Sequence, residues 1–267
     1  MQDYLPIKKY LRTPHLEGSR LQPGDEDLNQ VPFSAIAGRH LVVEEKCDGA
    51  NSAVSFDRNG ALLLQSRGHY LTGGWRERHY DLFKQWANVH RDGLYRVLGR
   101  QYIMYGEWMY AKHTVYYDAL PHYFLEFDVL DRATGRFLDT ASRHAFLSPL
   151  PVVSVPVLAE GTFRDRETLL SFLGPSSYVT EEHREHLRED AHRLGLDEDR
   201  QGRETDASGT MEGLYIKVEE GGEVVDRLKY VRASFIQTVD ASQTHWLDRP
   251  IIPNRLRCPV DGLFLPN

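Results

Sequence analysis

The most informative stretch of this sequence is Glu44-Glu45-Lys46-Cys47-Asp48-Gly49-Ala50-Asn51. It places a lysine among carboxylates at the end of a predicted strand and follows it with a glycine turn. A lysine amine is a nucleophile only when it is neutral, and because a free lysine has a pKa of about 10.4, a site that used it in this way would have to favour deprotonation. Nearby cations, a bound metal and partial removal from water would each lower that pKa. On its own, the pattern from Lys46 to Gly49 is also compatible with an ordinary surface turn.

Strand patterns lie on both sides of this stretch. Three short runs of strand-forming residues, separated by Asp-Gly and Asn-Gly, predict an antiparallel meander. They are HLVVEEK (40–46), ANSAVSF (50–56) and ALLLQSR (61–67). An amphipathic helix is predicted over residues 79–98, with a break near Gly93.

The remaining segments complete a mixed pattern of strands and helices. Two buried strands, a short helix, a proline-limited edge strand and a final strand pair joined by Glu-Gly-Gly are predicted in that order. Their sequences are YIMYGEW (102–108), HYFLEFDVLD (122–131), TASRHAFLSPL (140–150), PVVSVPVL (151–158), and EGLYIKVE with VVDRLKYVR (212–219 and 224–232). Two helical stretches are predicted between residues 165 and 195. The expected fold class is α+β, with mostly antiparallel sheets and flanking helices.

The composition is that of a folded globular protein, with 41% hydrophobic and 27% charged residues among 267. No apolar run approaches the roughly 18 to 20 residues of a membrane span, and residues 1–15 lack a signal-peptide pattern, so we expect a cytoplasmic protein without membrane partners. Cys47 and Cys258 form neither a disulfide framework nor a metal pair. The net charge of −7 argues against an acidic partner, but residues 181–206 carry ten acidic residues against five arginines. A basic cleft can therefore coexist with an acidic surface helix.

Five further motifs follow the lysine stretch in order along the chain. They are Ser66-Arg67-Gly68, Tyr105-Gly106-Glu107, Phe124-Leu125-Glu126-Phe127-Asp128, Glu212-Gly213-Leu214-Tyr215-Ile216-Lys217 and Arg227-Leu228-Lys229. With these motifs, the chain resembles the covalent nucleotidyltransferase superfamily of ATP-dependent ligases and capping enzymes, and within it the RNA ligase 2-like branch. The resemblance runs from Glu44 to Lys229, which is most of the chain, and implies an adenylation (nucleotidyltransferase) domain.

The resemblance assigns the reactive groups. Lys46 is the implied nucleophile, which would form a lysyl-AMP phosphoramidate with ATP. Asp48 and Glu212 are the implied carboxylates for Mg²⁺, with Mn²⁺ as an alternative, and they would hold the ion largely through its waters. Asp48 also departs from the phage-type pattern, in which several members have histidine, and matches DNA ligases and capping enzymes instead.

The phosphates of ATP call for basic side chains, because phosphoryl transfer depends on neutralising charge. The resemblance assigns Lys229 to this role and to catalysis, together with Lys217 and Arg227 as phosphate ligands. The family more often has lysine at the position of Arg227, so its guanidinium could instead pair with Glu223 or another surface acid.

The resemblance also implies a nucleoside pocket. Phe127 would stack on adenine and Glu45 would contact it, while Glu107 and Arg67 would contact the ribose. Asn51 matches a position linked to the polynucleotide ends. Three of these residues have ordinary alternatives: strand core for the phenylalanine, a structural ion pair for the carboxylate of the Tyr-Gly-Glu motif, and a solvated turn for the arginine.

The domain limits are predicted from the motifs and from length. Residues 1–232 are expected to form the nucleotidyltransferase domain, including an irregular segment over 1–38 and a helical insert at about 165–206. The 38 residues after Lys229 are too few for the five-stranded OB-fold that DNA ligases and capping enzymes carry there. Residues 233–267 are therefore expected to be a short C-terminal helix and a strap.

The function implied by the resemblance is ATP-dependent RNA ligation. AMP would pass from the lysine to an RNA 5′-phosphate, and a 3′-hydroxyl would then displace AMP to seal the strand. The setting would be RNA repair, with an RNA end-healing protein as a partner. Three alternatives stay open: a DNA or hybrid nick-sealing ligase, a capping guanylyltransferase that would label with GTP, and a nucleotide- or RNA-binding subunit that does not ligate.

One further polar pattern has no role in this scheme. Arg12-Thr13-Pro14-His15 lies close in sequence to Lys8 and Lys9. It could approach phosphates at the mouth of a pocket, or it could form a proline-bearing turn on the surface.

Overall fold

The chain folds around one large sheet. The computed structural model describes residues 6–21, 25, 28–242 and 249–265, and within them twelve strands form a mostly antiparallel sheet. The strands are β1 (His15–Leu16), β2 (Gln30–Val31), β3 (Leu41–Lys46), β4 (Ala50–Phe56), β5 (Leu62–Ser66), β6 (Tyr102–Trp108), β7 (Phe124–Asp131), β8 (Arg136–Leu138), β9 (Val153–Ser154), β10 (Val157–Gly161), β11 (Gly213–Glu220) and β12 (Glu223–Val231). The main path across the sheet is β10-β3-β11-β12-β8-β7-β6-β4-β5.

Helices flank this sheet and complete the α+β class predicted from the sequence, which is thereby confirmed. The α-helices are α1 (Asp81–Val89), α2 (Arg91–Leu98), α3 (Thr140–Leu147), α4 (Arg166–Leu170), α5 (His183–Arg193), α6 (Glu198–Arg203) and α7 (Ala233–Ser242). Asp139, Asp165 and Asp197 start α3, α4 and α6, because each carboxylate accepts a backbone N–H three residues further on. The segment predicted as a helical insert, 165–206, contains α4, α5 and α6.

The helix predicted over 79–98 is divided, but not at Gly93. A 3-10 helix covers Trp75–Tyr80, and the break between α1 and α2 falls at His90, whose backbone has φ −93° and ψ 9°. The His90 ring donates from Nε2 to the carbonyl oxygen of Leu263 at 2.9 Å, which ties the break to the C-terminal segment. Because that contact is distant in sequence, no local pattern indicated it.

The predicted three-strand meander is wrong in its first pairing. β4 and β5 pair as expected, but β3 pairs with β10 and β11, and β4 pairs with β6. The glycine turn after Lys46 therefore carries the chain from one half of the sheet to the other. We call these halves the lysine half (β3, β11 and β12) and the helix half (β4 to β7).

The predicted edge strand is split by Pro156. β9 pairs in parallel with β7, whereas β10 pairs antiparallel with β3 and forms the end of the sheet path. Proline has no N–H to donate, but its carbonyl oxygen accepts the Glu45 N–H at 3.0 Å. This segment therefore spans from the helix half to the lysine half.

Each half of the sheet has its own apolar support. In the helix half, Phe83 of α1 packs on Trp108 of β6 and on Trp86 of its own helix, and all three are almost completely buried. In the lysine half, Val43 and Ile216 belong to a second buried cluster. Burial of each side chain of this size stabilises the folded state by roughly 1.5–3 kcal/mol. The two apolar clusters therefore hold in place the strands that carry the motifs.

The part of the chain beyond β12 adds no strand to this sheet. In residues 232–242 and 249–265 the described structure is α7, a short 3-10 helix at Val260–Phe264 and irregular chain with isolated bridges. Across the described ranges, none of the helices has the length and apolar character required to cross a membrane.

Candidate active site

Lys46 and Glu212 meet because their strands are neighbours. Lys46 is the last residue of β3 and Glu212 directly precedes β11. The Lys46 ammonium donates to Glu212 Oε2 at 2.6 Å, and the glutamate is almost completely buried. Gly213, the register partner of Lys46, has no room for a side chain, since a Cβ there would lie 1.8 Å from the Tyr230 carbonyl oxygen. Close packing of β11 on β12 thus determines where Glu212 reaches Lys46.

Three rows of residues cross β3, β11 and β12 on the same face. The first row is Lys46, Gly213 and Val231, the second is Glu44, Tyr215 and Lys229, and the third is Val42, Lys217 and Arg227. Rows are two residues apart along a strand, or about 6.6 Å. Lys229 therefore stands one row from the reactive lysine, and its Nζ donates to Asp25 Oδ2.

The turn that follows Lys46 is packed tightly against β6. A Cβ on Gly49 would lie 2.7 Å from Met109 Sδ and 2.8 Å from Glu107 Cγ, so glycine is required there. Asp48 Oδ2 accepts the backbone N–H groups of Thr114 and Val115 at 2.7 and 2.8 Å. These contacts hold the turn, and with it the end of β3, against the helix half.

The Asp48 carboxylate is kept ionised by its surroundings. Burial alone would raise its pKa, but His113 and the two backbone N–H donors outweigh burial and lower it. His113 Nδ1 lies 3.7 Å from Asp48 Oδ1. Asp48 therefore provides a fixed negative charge beside Lys46.

Glu107 and Asn51 are register partners on β6 and β4, across the turn from Lys46. Burial raises the pKa of Glu107 to about 7, even though Lys46 and Arg67 act to lower it. Asn51 Oδ1 is buried and has no hydrogen-bond partner among the described residues. Because buried polar atoms are normally paired, this oxygen is free to accept from a ligand.

The pKa of Lys46 departs from the expectation of a readily deprotonated lysine. Burial lowers the pKa, but Glu212, Glu107 and Asp48 outweigh burial and raise it above the ordinary value. Burial also raises the pKa of Glu212 despite its ion pair with Lys46. The protein atoms alone therefore hold Lys46 as an ammonium, with Glu212 as its hydrogen-bonded partner.

Lys217 and Arg227 stand in the third row, away from Lys46, and both are buried. Lys217 Nζ lies 3.0 Å from Glu44 Oε2 and 3.2 Å from Asp128 Oδ1, and it also donates to the Phe127 carbonyl oxygen. Arg227 Nη2 lies 3.3 Å from Asp128 Oδ2. Arg227 therefore pairs with Asp128 and not with Glu223, and it does not lie at the surface. Contact with ATP phosphates stays a prediction for both residues.

The network around Lys217 contains a residue that the sequence did not single out. Arg143 of α3 is fully buried, and its Nη2 donates to Glu44 Oε1 at 2.7 Å. Its Nη1 lies 3.7 Å from Glu126 Oε1 on β7. Arg143 thus joins the two halves of the sheet. Its short helical segment carries no charge pattern that indicates burial, so only the fold reveals it.

Glu45 points away from the reactive lysine, because adjacent residues of a strand face opposite sides. Its carboxylate accepts from Ser176 Oγ at 2.6 Å and from the Ser177 N–H at 3.0 Å, and it is 1% exposed. The structure does not bring Glu45 together with Lys46. Its adenine contact remains a prediction.

Phe127 lies in β7, and Arg67 directly follows β5. Phe127 is half-buried, and its ring meets that of Tyr10 edge-on with centroids 5.0 Å apart. Arg67 is exposed and close enough to Glu107 to lower the pKa of that carboxylate. Both side chains remain accessible in part, as a stacking or ribose-binding role requires.

A divalent cation fits the chemistry of this site if it is held through water. Within residues 6–21, 25, 28–242 and 249–265, no three His, Cys, Asp or Glu side chains are grouped closely enough to hold an ion directly. Asp48, Glu107 and Glu212 nevertheless lie near the Lys46 ammonium. Their carboxylate oxygens suit a hydrated Mg²⁺ or Mn²⁺, which binds oxygen ligands and retains waters.

The sheet, its flanking helices and the lysine at the end of β3 define the nucleotidyltransferase fold of RNA ligases. A family model described as RNA ligase matches residues 39–231, and the chain belongs to the RNA ligase family. No curated protein matches the chain.

Solved structures of Naegleria gruberi RNA ligase share this fold. The enzyme with pyrophosphate superposes with a TM-score of 0.54 at 16% sequence identity, covering 88% of this chain and 58% of that one. A variant with ATP and Mn gives 0.53 at 15% identity, covering 86% and 58%. A variant without ligand gives 0.56 at 15% identity, covering 88% and 59%. This chain spans less than two thirds of the length of these structures.

Proposed function

We propose that this protein is an ATP-dependent RNA ligase that works through a covalent lysyl-AMP. The observation that carries the proposal is the position of Lys46, with its Nζ 2.6 Å from Glu212 Oε2 and with Glu107 and Asp48 around it. A purely binding site has no need of an amine held in this way. Lys229, one row away on the same face, supplies a cation for the phosphates.

The reaction has three steps. The Lys46 amine attacks the α-phosphorus of ATP, so that a nitrogen–phosphorus bond forms and the bond to the β-phosphate oxygen breaks, releasing pyrophosphate. The 5′-phosphate of RNA then attacks the same phosphorus, and the lysine leaves. Finally a 3′-hydroxyl oxygen attacks the RNA 5′-phosphorus and AMP leaves, which forms the phosphodiester.

The chain's own groups have defined tasks in the first step. Glu212 orients the amine and, as its nearest carboxylate, accepts the proton that the ammonium must lose. Lys229 neutralises charge on the phosphates of ATP. Glu107 and Arg67 contact its ribose. Phe127 offers its half-buried ring to adenine. A divalent cation bound near Asp48 and Glu212 would neutralise the carboxylates that raise the Lys46 pKa and offset charge on the phosphates.

The relatives support the nucleotide and metal in this proposal. Structures of the Naegleria enzyme were solved with ATP and Mn and with AMP and Mn. We accordingly propose ATP, with Mg²⁺ or Mn²⁺, as the ligands of this chain. RNA with a 5′-phosphate and a 3′-hydroxyl is the proposed substrate, with RNA repair as the setting.

The proposal is tested by covalent labelling. After resident AMP is stripped with pyrophosphate, the protein is incubated with Mg²⁺ and α-labelled ATP, or with labelled GTP in parallel. We expect label from ATP that is lost in Lys46→Ala and retained in Lys84→Ala, a control lysine paired with Glu77 outside the site. Absence of label from ATP in the parent chain would exclude the covalent mechanism, and label from GTP would indicate capping chemistry.

The polynucleotide is identified by nick sealing. Labelled protein is given nicked duplexes whose 3′-hydroxyl strand is either RNA or DNA. Preferential sealing of the RNA strand is expected. Equal or better sealing of the DNA strand would make the protein a DNA or hybrid ligase. Label without sealing of any nick or RNA end would make it a nucleotide-binding subunit that does not ligate.

A further inference from the structure

The Asp25 carboxylate accepts hydrogen bonds from three side chains, and the proposed reaction gives this carboxylate no role. Its Oδ2 accepts from Lys229 Nζ and from His15 Nε2, the latter at 3.2 Å. Its Oδ1 accepts from Arg12 Nη2 at 3.3 Å. Three donors from two parts of the chain therefore converge on one anionic group.

Two of these donors are fixed by the sheet. β1 pairs in parallel with β12 in a register that sets His15 opposite Lys229, and the Lys229 N–H donates to the Pro14 carbonyl oxygen at 2.9 Å. The His15 ring is fully buried and held from its other side by Ser19 Oγ, 2.7 Å from Nδ1. The His15 and Lys229 positions therefore exist whether or not Asp25 stands between them.

The third donor approaches from solvent. The Arg12 side chain is 47% exposed, whereas that of Asp25 is 14% exposed. Although burial would raise it, hydrogen bonding from Lys229 lowers the pKa of Asp25, so the group is a carboxylate at neutral pH. Among the described residues, the anion position is therefore buried on the side of His15 and reaches the solvent-exposed Arg12 on another.

Lysine, arginine and histidine around an anion are the groups that bind phosphate oxygens. The row arrangement puts this position beyond Lys46 on the same face, one row along β12. In the proposed function the α-phosphate lies at Lys46, so the β- and γ-phosphates must extend to a neighbouring cationic position.

We propose that Arg12, His15 and Lys229 form an anion subsite for the β- and γ-phosphates of a nucleoside triphosphate, and that the Asp25 carboxylate competes with these phosphates for it. The identity of the ligand rests on the proposed function. The Arg-Thr-Pro-His pattern is then part of the phosphate end of the pocket and not a surface turn.

Competition has a defined consequence for affinity. An incoming polyphosphate either displaces the carboxylate from its three donors or lies beside it as a like charge, and both costs weaken binding. Asp25→Asn removes the charge and keeps the shape. We expect it to tighten polyphosphate binding about tenfold. AMP has no β- or γ-phosphate, so its affinity is expected to change less than about twofold.

The test is a calorimetric titration of the full chain without divalent cation, using inorganic tripolyphosphate and AMP as separate probes. The variants are Asp25→Asn, Arg12→Gln and the control Asp92→Asn, which alters an exposed carboxylate in the first turn of α2. The subsite is supported if Asp25→Asn binds tripolyphosphate more tightly than the parent chain and Arg12→Gln binds it severalfold more weakly. Unchanged or weaker binding of tripolyphosphate by Asp25→Asn, or unchanged binding by Arg12→Gln, overturns the proposal.

The outcomes separate this subsite from the proposed function. Tripolyphosphate binding needs no chemistry at Lys46, so the predicted tightening without covalent label would retain the subsite and exclude the ligase mechanism. Covalent label from ATP without tighter binding of tripolyphosphate would exclude the subsite and retain the ligase mechanism. Thermal unfolding of each variant checks the fold, and if Asp25→Asn does not fold, the exposed Arg12→Gln decides the matter alone.

Discussion

Lys217 and Glu44 form an ion pair in which both side chains are completely buried, with Nζ 3.0 Å from Oε2. Asp128 lies on the other side of the same ammonium, at 3.2 Å. The pair sits between the lysine half and the helix half of the sheet. Its first effect is therefore on the stability of the fold.

Replacement of Lys217 by methionine is expected to lower the free energy of unfolding by about 3 kcal/mol, because it removes the ammonium that two buried carboxylates share and leaves Glu44 with Arg143 and Asp128 with Arg227 as their cationic partners. Urea unfolding measures this loss. Lys229→Met is expected to have the opposite profile, with a smaller loss of stability and a large loss of covalent label from ATP. A Lys217→Met protein that keeps its stability and loses label would instead support the phosphate contact predicted from its motif.

Gly49→Ala is expected to slow covalent labelling on the order of 100-fold, since a displacement of about 1 Å at a reacting group has effects of that size. The added Cβ would lie 2.7 Å from Met109 Sδ, 2.8 Å from Glu107 Cγ and 2.9 Å from the Trp108 carbonyl oxygen. Gly202→Ala is the control, because nothing lies within 4 Å of its Cβ position. The labelling rate at saturating ATP is the measurement, and equal rates in both variants would contradict the packing argument.

Asn51→Ala is expected to separate the steps of ligation. Its buried Oδ1 has no hydrogen-bond partner in the described structure, so its loss leaves the Lys46–Glu212 pair in place. We expect labelling within about twofold of the parent and nick sealing slower by about tenfold, the cost of one hydrogen bond to a charged group. Asn88→Ala, at an exposed helical position, is the matched control. Equal losses in labelling and sealing would place Asn51 in the nucleotide step.

Asp190 is expected to make the free energy of unfolding depend on pH in the acid range. Burial alone would raise its pKa, but hydrogen bonds from Arg255, Tyr116 and Arg193 lower it to about 2. Because the folded pKa lies below that of the unfolded chain, Asp190 stabilises above about pH 4, and this contribution is lost as the pH falls toward 2. Asp190→Asn should therefore cost about 2 kcal/mol at pH 7 and progressively less below pH 4.

Urea unfolding at pH 7, 4 and 3 follows this difference, with Asp199→Asn as the exposed control. A stability difference for Asp190→Asn that stays constant over this range would show that the ionised carboxylate is not what stabilises the contact with Arg255.

Ser176→Ala is expected to destabilise by about 1–3 kcal/mol, because it removes a donor from the buried Glu45 carboxylate. Ser171→Ala, which alters an exposed hydroxyl on α4's C-terminal side, is expected to change stability by less than about 0.5 kcal/mol. Chemical unfolding compares the two. If Ser176→Ala were neutral and altered the preference for ATP over GTP, the adenine contact predicted for Glu45 would gain support.

The sequence predicted most elements and the α+β class, because their patterns are local. The runs typical of buried strands over 102–108 and 122–131, together with the Glu-Gly-Gly turn, give β6, β7 and the β11–β12 hairpin. The partner of β3 could not be predicted in this way, since β10 and β11 follow it by more than a hundred residues.

The site shows the same division. Motif order indicated Lys46, Glu107, Glu212 and Lys229, and the structure brings them to one region of the sheet. It also places Lys217 and Arg227 in a buried network, which a basic residue in a strand motif cannot reveal, and their contacts with phosphate stay predictions. Asp25 carried no signal, because its partners depend on a two-residue strand, β1, that has no local pattern.

The pairing of β3 has a consequence for synthesis of the chain on the ribosome. Both hydrogen-bonding neighbours of this strand, β10 and β11, are made after it, and β11 ends at Glu220. At 5–20 residues per second, the nascent strand waits roughly 10 to 35 seconds with at least one open edge. Such an edge is a template for intermolecular pairing, so the strand that bears the reactive lysine is open to aggregation until β11 has been made.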